Sequence, residues 1–327
     1  MNSPARPEPV RRTAEIEEIT NLYFIHPVAS RFVPLAARLG LTPNTLTLAG
    51  MLFGVLAGFA FYRYQDPRFA VAGFVLMIGW HIMDGADGQL ARLTRSQSHF
   101  GKVLDGISDT ATFLAVYTAL ALALGRKYGD RAYALVLVSA MFHAVQSATY
   151  EARRQEYELW GWGRKSADPP QSAATARGGS RADARSAHAS LVDGLFSFLH
   201  RLFYHRLSFP AADVTEKVRA SMAAALRRQP ENAAFIREQY RRIFAPLVRR
   251  WSLLSANYRT LGIFVCVLLA VPEYYFWFEI IGGSVVLALL IASEYDGYRR
   301  LLVQLDAANA ALPEGPHAAS DGTSRSL

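Results

Sequence analysis

At 327 residues, with 51% apolar residues and a mean hydropathy of +0.11, the chain is too apolar for an ordinary soluble protein of its size. A formal charge of +8 and a pI near 9.7 raise nucleic acid as a partner, but Lys and Arg cluster beside the apolar stretches. Anionic lipid headgroups and phosphate substrates account for that pattern, so membrane lipids and no nucleic acid are expected. The lone cysteine, Cys266, excludes an intramolecular disulfide and any cysteine-based metal site.

In chain order, residues 1–20 are polar and carry Pro and Arg; they are expected to be disordered and do not have the form of a cleavable signal peptide. Over 21–41, Phe24, Val28, Phe32, Leu35 and Leu39 recur at helical spacing with Arg31 and Arg38 between them, which predicts an amphipathic helix on the membrane surface. Gly40 ends it, and Thr42-Pro43-Asn44 supplies a cap and a first-turn proline for the next helix.

Apolar stretches at 45–62, 69–83, 111–124, 132–150, 261–271 and 274–293 then approach the roughly 20 residues that cross a bilayer core. The expected fold class is therefore all-α integral membrane, with six transmembrane helices, an N-terminal amphipathic interfacial helix and a cytoplasmic helical insertion. Residues 21–155 hold the amphipathic helix and spans one to four, 256–300 hold spans five and six, and 301–327 form a tail. Between them, 156–255 is the insertion. It comprises a disordered linker at 166–190, an interfacial helix over 191–207, and two charged helices, broken at Pro230, that complete the 191–250 region. With a cytoplasmic N-terminus, the 84–102 connection, the 151–259 segment and Arg299-Arg300 face the cytoplasm.

Carboxylates are costly inside a bilayer, so intramembrane acids are read first as functional. Here four arrive together. Asp84, Asp87, Gly88, Ala91 and Arg92 fall within an arc of roughly 140° on one helix. Gly101, Asp105 and Asp109 stack at four-residue intervals on the next, and a short turn brings the two faces together. Unneutralised, the carboxylates repel one another, and their all-oxygen ligand set suits Mg²⁺ or Mn²⁺ rather than zinc. A pair of such ions is a clamp for displacement at phosphorus. Gly88, Ala91 and Gly101 remove bulk where a nucleotide approaches the backbone, and Arg92 adds a positive charge for phosphate.

The pattern D-x2-D-G-x2-A-R-x8-G-x3-D-x3-D, from Asp84 to Asp109, resembles the signature of the CDP-alcohol phosphotransferase family. Eight fixed residues coincide by chance roughly once in 10¹⁰ positions at average usage. The likeness extends to the entry helix, to Leu41-Thr42-Pro43-Asn44-Thr45-Leu46-Thr47 and to the six-span plan, but not obviously to 156–251. It implies that Asp84, Asp87 and Asp105 are metal ligands. Asp109 would be the base toward the acceptor hydroxyl, with a share in the metal site. The CDP moiety would be held by Asp84, Gly88, Ala91, Arg92 and Gly101, with two divalent ions as cofactors and a homodimer as the common assembly.

Under this resemblance the expected function is membrane phospholipid synthesis. A substituted phosphate moves from a CDP-linked donor, CDP-diacylglycerol, to a small alcohol, and CMP is released at a cytoplasm-facing site in a bacterial inner membrane. The alternative is transfer of a CDP-activated headgroup alcohol to a lipid hydroxyl, diacylglycerol or ceramide. A cation transporter is a remote alternative, since the four acids bracket one turn instead of spreading over several depths.

Two arginines are acceptor candidates. Arg259 opens span five at a depth where family members using phosphorylated sugar alcohols carry arginines, and Arg154 belongs to the charged end of span four with Tyr150, Glu151 and Arg153. For the latter group an ordinary snorkelling boundary competes. His81 and His143 read as structural, Glu279 has no evident partner, and the aromatic run from Tyr274 to Phe278 reads as an interfacial belt.

Overall fold

The computed structural model describes residues 14–164, 212–228 and 230–310, and every described element is helical. The expected linker at 166–190, the interfacial helix at 191–207, residues 1–13 and the tail beyond 310 lie outside the described residues. The helices are α1 (His26–Arg38), α2 (Pro43–Phe61), α3 (Pro67–Leu93), α4 (His99–Tyr128), α5 (Asp130–Trp162), α6 (Ala212–Arg228), α7 (Ala233–Trp251), α8 (Ala256–Leu268) and α9 (Pro272–Ala310). Among the described residues, six helices are long and apolar enough to cross a membrane: α2, α3, α4, α5, the broken Pro230–Leu268 run ending in α8, and α9. The protein is an integral membrane protein.

Sequence punctuation sets the helix starts. Thr42, Asp66 and Ser98 sit in extended conformation at the N-caps of α2, α3 and α4 and accept hydrogen bonds from the backbone N–H groups of Thr45, Arg68 and Gly101. Proline opens α2, α3 and α9, where the missing N–H is no loss. Helix α2 lies against both α3 and α4. Its approach to α4 depends on Gly54, where an added Cβ would stand 2.1 Å from Thr112 Oγ1.

The intramembrane core joins Phe61, Met77, Trp80, Leu120, Ile263 and Phe276 across the spans, while Phe59, Val75, Leu114, Leu137 and Leu289 remain exposed on the outer faces, as lipid-facing side chains do. The expected aromatic belt divides: Tyr274, Trp277 and Phe278 are exposed, but Tyr275 and Phe276 turn into this core because a helix cannot send five consecutive side chains one way.

Within the same core, Arg259 pairs with Glu279. The guanidinium also donates to Gln146 Oε1 at 3.0 Å and to the Leu254 carbonyl at 3.1 Å. Glu279 in turn accepts from Tyr117 and Ser139, with His143 Nδ1 at 3.1 Å. This cluster ties α4, α5, α8 and α9 together and supplies the partners of Glu279.

Helices α5 and α9 contain 33 and 39 residues, about 50 and 58 Å at 1.5 Å per residue, against a hydrocarbon core of about 30 Å. Their length exceeds that thickness, and their C-terminal ends pack with α6 and α7 around Tyr157, Met222, Tyr240, Phe244 and Leu301. Arg153 does not snorkel at a boundary. It is buried in this bundle against Glu156 at 2.8 Å and Glu294 at 3.1 Å, and Arg219 from α6 meets Glu156 at 2.8 Å.

The described end of the N-terminal segment is also ordered, contrary to the expectation for residues 1–20. Ile16 enters the same core, and buried Glu18 accepts from Ser255 Oγ at 2.8 Å and Asn257 Nδ2 at 2.6 Å. Burial pushes the Glu18 carboxyl above the ordinary range, with the Ser255 hydrogen bond opposing it.

Helix α1 presents a narrow stripe of Ala29, Val33 and Ala36 to Leu46, Ala86 and Leu90. Phe24, Leu35 and Leu39 stay exposed on the other side. The helix is thus two-faced, one face packed on α3 and one left apolar at the surface.

Candidate active site

Three carboxylates converge where α3 ends and α4 begins. One oxygen each of Asp84, Asp105 and Asp109 can be chosen so that all lie within 4.8 Å of one another. Ligands at 2.0–2.6 Å from a common cation span roughly this distance, so the three fit a divalent ion bound through oxygen. Asp87 adds a fourth negative charge close to Asp84 but is held differently. It is buried and accepts a hydrogen bond from the Thr47 hydroxyl of α2, which also lies 3.1 Å from the Pro43 carbonyl.

A cavity of about 370 Å³ opens beside the cluster. One wall is the last turns of α3, with Asp87, Gly88, Ala91 and Arg92. The opposite wall is the first turns of α4, with Gly101, Lys102 and Asp105, reached through the turn residues Ser96, Gln97 and Ser98. Pro43, Asn44 and Thr47 of α2 close a third side. Two helix N-termini, those of α2 and α4, therefore open onto it with their positive dipole ends. With Arg92 and Lys102 they offer positive charge for an anion, and Asp87 and Asp105, one on each wall, offer oxygens for a cation. Asp105 belongs to both the cavity and the carboxylate cluster, and so joins the two.

The turn that sets this geometry is short and locally specified. The backbone N–H of Thr94 donates to Leu90 O at 2.9 Å and that of Ser96 to Ala91 O at 3.0 Å, ending α3. Arg95 adopts φ 54° between them, and the Ser98 cap starts α4. One turn before Asp84, His81 is buried with Nε2 2.9 Å from Thr260 Oγ1, which ties α3 to α8 behind the cluster.

All eight residues of the motif thus lie in the cluster or on the cavity wall. The two acceptor candidates do not line the cavity. Arg259 is buried, its guanidinium taken up by Glu279, and Arg154 pairs with Glu151 at 3.2 Å. Lys102 and Arg164 were not singled out from sequence, and Asn44 and Thr47 were named there only within the run that shares the family likeness; all four line the cavity. Lys102 stands next to a motif residue and could have been found there; Arg164 lies too far along the chain for local spacing to place it.

Comparison with known proteins converges on the same segment. Residues 40–167 match the family described as CDP-alcohol phosphatidyltransferase. The archaetidylinositol phosphate synthase of Pyrococcus horikoshii is 38% identical over 86 residues, 26% of this chain and 44% of that protein. The CDP-diacylglycerol--serine O-phosphatidyltransferase of Helicobacter pylori is 30% identical over 111 residues, 34% of this chain and 45% of that protein. Cholinephosphotransferase 1 of Xenopus laevis is 31% identical over 121 residues, 34% of this chain and 30% of that protein. The chain therefore spans less than half the length of each of these relatives. The matched segment, residues 40–167, contains α2 to α5 and every motif aspartate.

Proposed function

We propose that the protein is a phospholipid-synthesis enzyme that transfers a substituted phosphate from a CDP-linked donor, CDP-diacylglycerol, to a small alcohol with release of CMP. The observation that carries this reading is the sharing of Asp105 between a carboxylate cluster and a cavity built for an anion. Asp84, Asp87, Asp105 and Asp109 would hold two divalent ions, Mg²⁺ or Mn²⁺, which when bound neutralise charge on the phosphates and the leaving group. Gly88 and Ala91 leave room for the CDP moiety, Gly101 lines the facing wall, Asp84 adjoins it, and Arg92 pairs with its phosphate. The acceptor oxygen attacks the phosphorus bearing the transferred group, its proton passes to an Asp109 carboxylate oxygen, and the bond to the CMP phosphate breaks. Arg259 and Arg154 take no part in this scheme.

The likeness to a cholinephosphotransferase supports a second reading, in which a CDP-activated alcohol donates its headgroup to a lipid hydroxyl. The relatives from Pyrococcus and Helicobacter favour the first. We place the site on the cytoplasmic side of a bacterial inner membrane, because Arg92, Lys102, Arg164, Arg299 and Arg300 gather at that end. A homodimer is the assembly that the family resemblance suggests.

The test is CMP release by purified protein in nanodiscs with Mg²⁺ or Mn²⁺, from CDP-diacylglycerol with a panel of alcohols and from CDP-alcohols with diacylglycerol. Metal-dependent release with one acceptor, lost in Asp105→Asn, is the expected result. Release only from a CDP-alcohol selects the second reading, and no release in either arm overturns both.

A further inference from the structure

Arg164 reaches the cavity from outside the motif. It lies two residues beyond the end of α5, where that helix packs in the bundle with α6, α7 and α9. Its position is set by the backbone. Gly163 adopts φ +70°, its N–H donates to Leu159 O at 3.0 Å, and the Arg164 N–H reaches back to Glu158 O at 3.1 Å. This is the αL form of helix closure, in which the C′ N–H bonds the C3 carbonyl and the chain reverses at a glycine. An alanine at 163 would meet Arg237 Cζ at 2.8 Å in addition to an unfavourable φ.

Helix α7 completes the arrangement. Arg237 donates to the carbonyls of Leu159 and Trp160, both at 3.0 Å, and Arg241 donates to Gly161 O at 2.9 Å. A helix C-terminus is the negative end of the dipole and would repel an anion beside it. Here the last carbonyls of α5 are capped by two guanidinium groups, so that end can stand next to an anionic ligand. The Arg164 side chain is held by Glu158 at 2.7 Å and by the Trp162 ring at 5.5 Å, and it keeps about a third of its surface (35%) exposed.

We propose that Arg164 is a specificity-determining residue that pairs with a phosphate of the bound nucleotide, and that Arg237 positions it from the inserted helix α7. The inference rests on the cavity being a nucleotide site, as in the proposed function. It places the phosphate contact on the side lined by Arg92, Gly101 and Lys102, away from the exposed Asp109. The segment beyond α5 thereby contributes to the chemistry instead of standing apart from it.

The test is binding of CMP and of cytidine to full-length protein in nanodiscs with Mg²⁺. Arg164→Ala should weaken CMP about ten- to hundredfold and leave cytidine unchanged, and Arg164→Lys should recover part of the loss. Arg237→Ala should weaken CMP less, and should add nothing further in the Arg164→Ala background. If wild-type protein binds no CMP, the nucleotide site itself is refuted. Unchanged CMP binding in Arg164→Ala, or an equal loss for CMP and cytidine, refutes the phosphate contact alone. Additive losses in the double variant refute the positioning by α7.

Discussion

Asp109 is exposed one helical turn beyond half-buried Asp105, and the difference in access separates their expected contributions. Asp109→Asn keeps the shape and most of the ligand set, so donor binding should persist while turnover falls at least a hundredfold; parallel CMP-binding and CMP-release measurements check this. Thr47 acts one layer further out. Thr47→Val removes the hydroxyl that holds Asp87, and the metal concentration for half-maximal CMP release should rise about tenfold in a metal titration. The aspartates were legible in the sequence because their spacing alone stacks them on two helix faces. Thr47 was not, because it comes from another helix, 40 residues away, and nothing in the local pattern of α2 distinguishes it from the other small polar residues there.

At the level of elements, the buried cluster around Glu279 decides how α8 and α9 meet α4 and α5. Removing one partner leaves a charge in the membrane interior, at a cost of about 3–5 kcal/mol, whereas replacing both with apolar residues can be neutral. Arg259→Ala should therefore lower the thermal midpoint for every substrate condition alike, and Arg259→Met with Glu279→Leu should restore most of it. Thermal unfolding in detergent distinguishes this from an acceptor-binding role, in which the midpoint would hold and one acceptor's KM would rise. Arginine at that depth reads equally as a ligand for a phosphate or as half of an ion pair. The choice between them was not legible because Glu279 lies 20 residues on, in a different helix.

At the level of the whole molecule, the count of six spans was legible from runs of apolar residues, but the length of α5 and α9 was not. Glu151 and Arg153 look like the end of a span, yet the helix runs on through Gly161 and ends only at Gly163, continuing as a rod into the bundle with α6 and α7. The ordering of residues 14–20 was hidden for a related reason, since only the start of α8 offers Ser255 and Asn257 to Glu18. Deleting residues 1–20 should cost about 2–4 kcal/mol, from Ile16 burial and the lost hydrogen bonds, seen as a lower unfolding midpoint with CMP release retained at low temperature.

The close contacts of α2 with both motif helices also bear on how the chain is made. Three consecutive spans, joined by short turns, bring all four aspartates together, so the reactive centre can take shape while the remainder is still on the ribosome. Arg259 and Glu279 belong to the last two spans, and each is a solitary charge in hydrocarbon until the other arrives. Their pairing then comes after the motif helices have met, and defects in it should show as failed biogenesis before they show as failed chemistry.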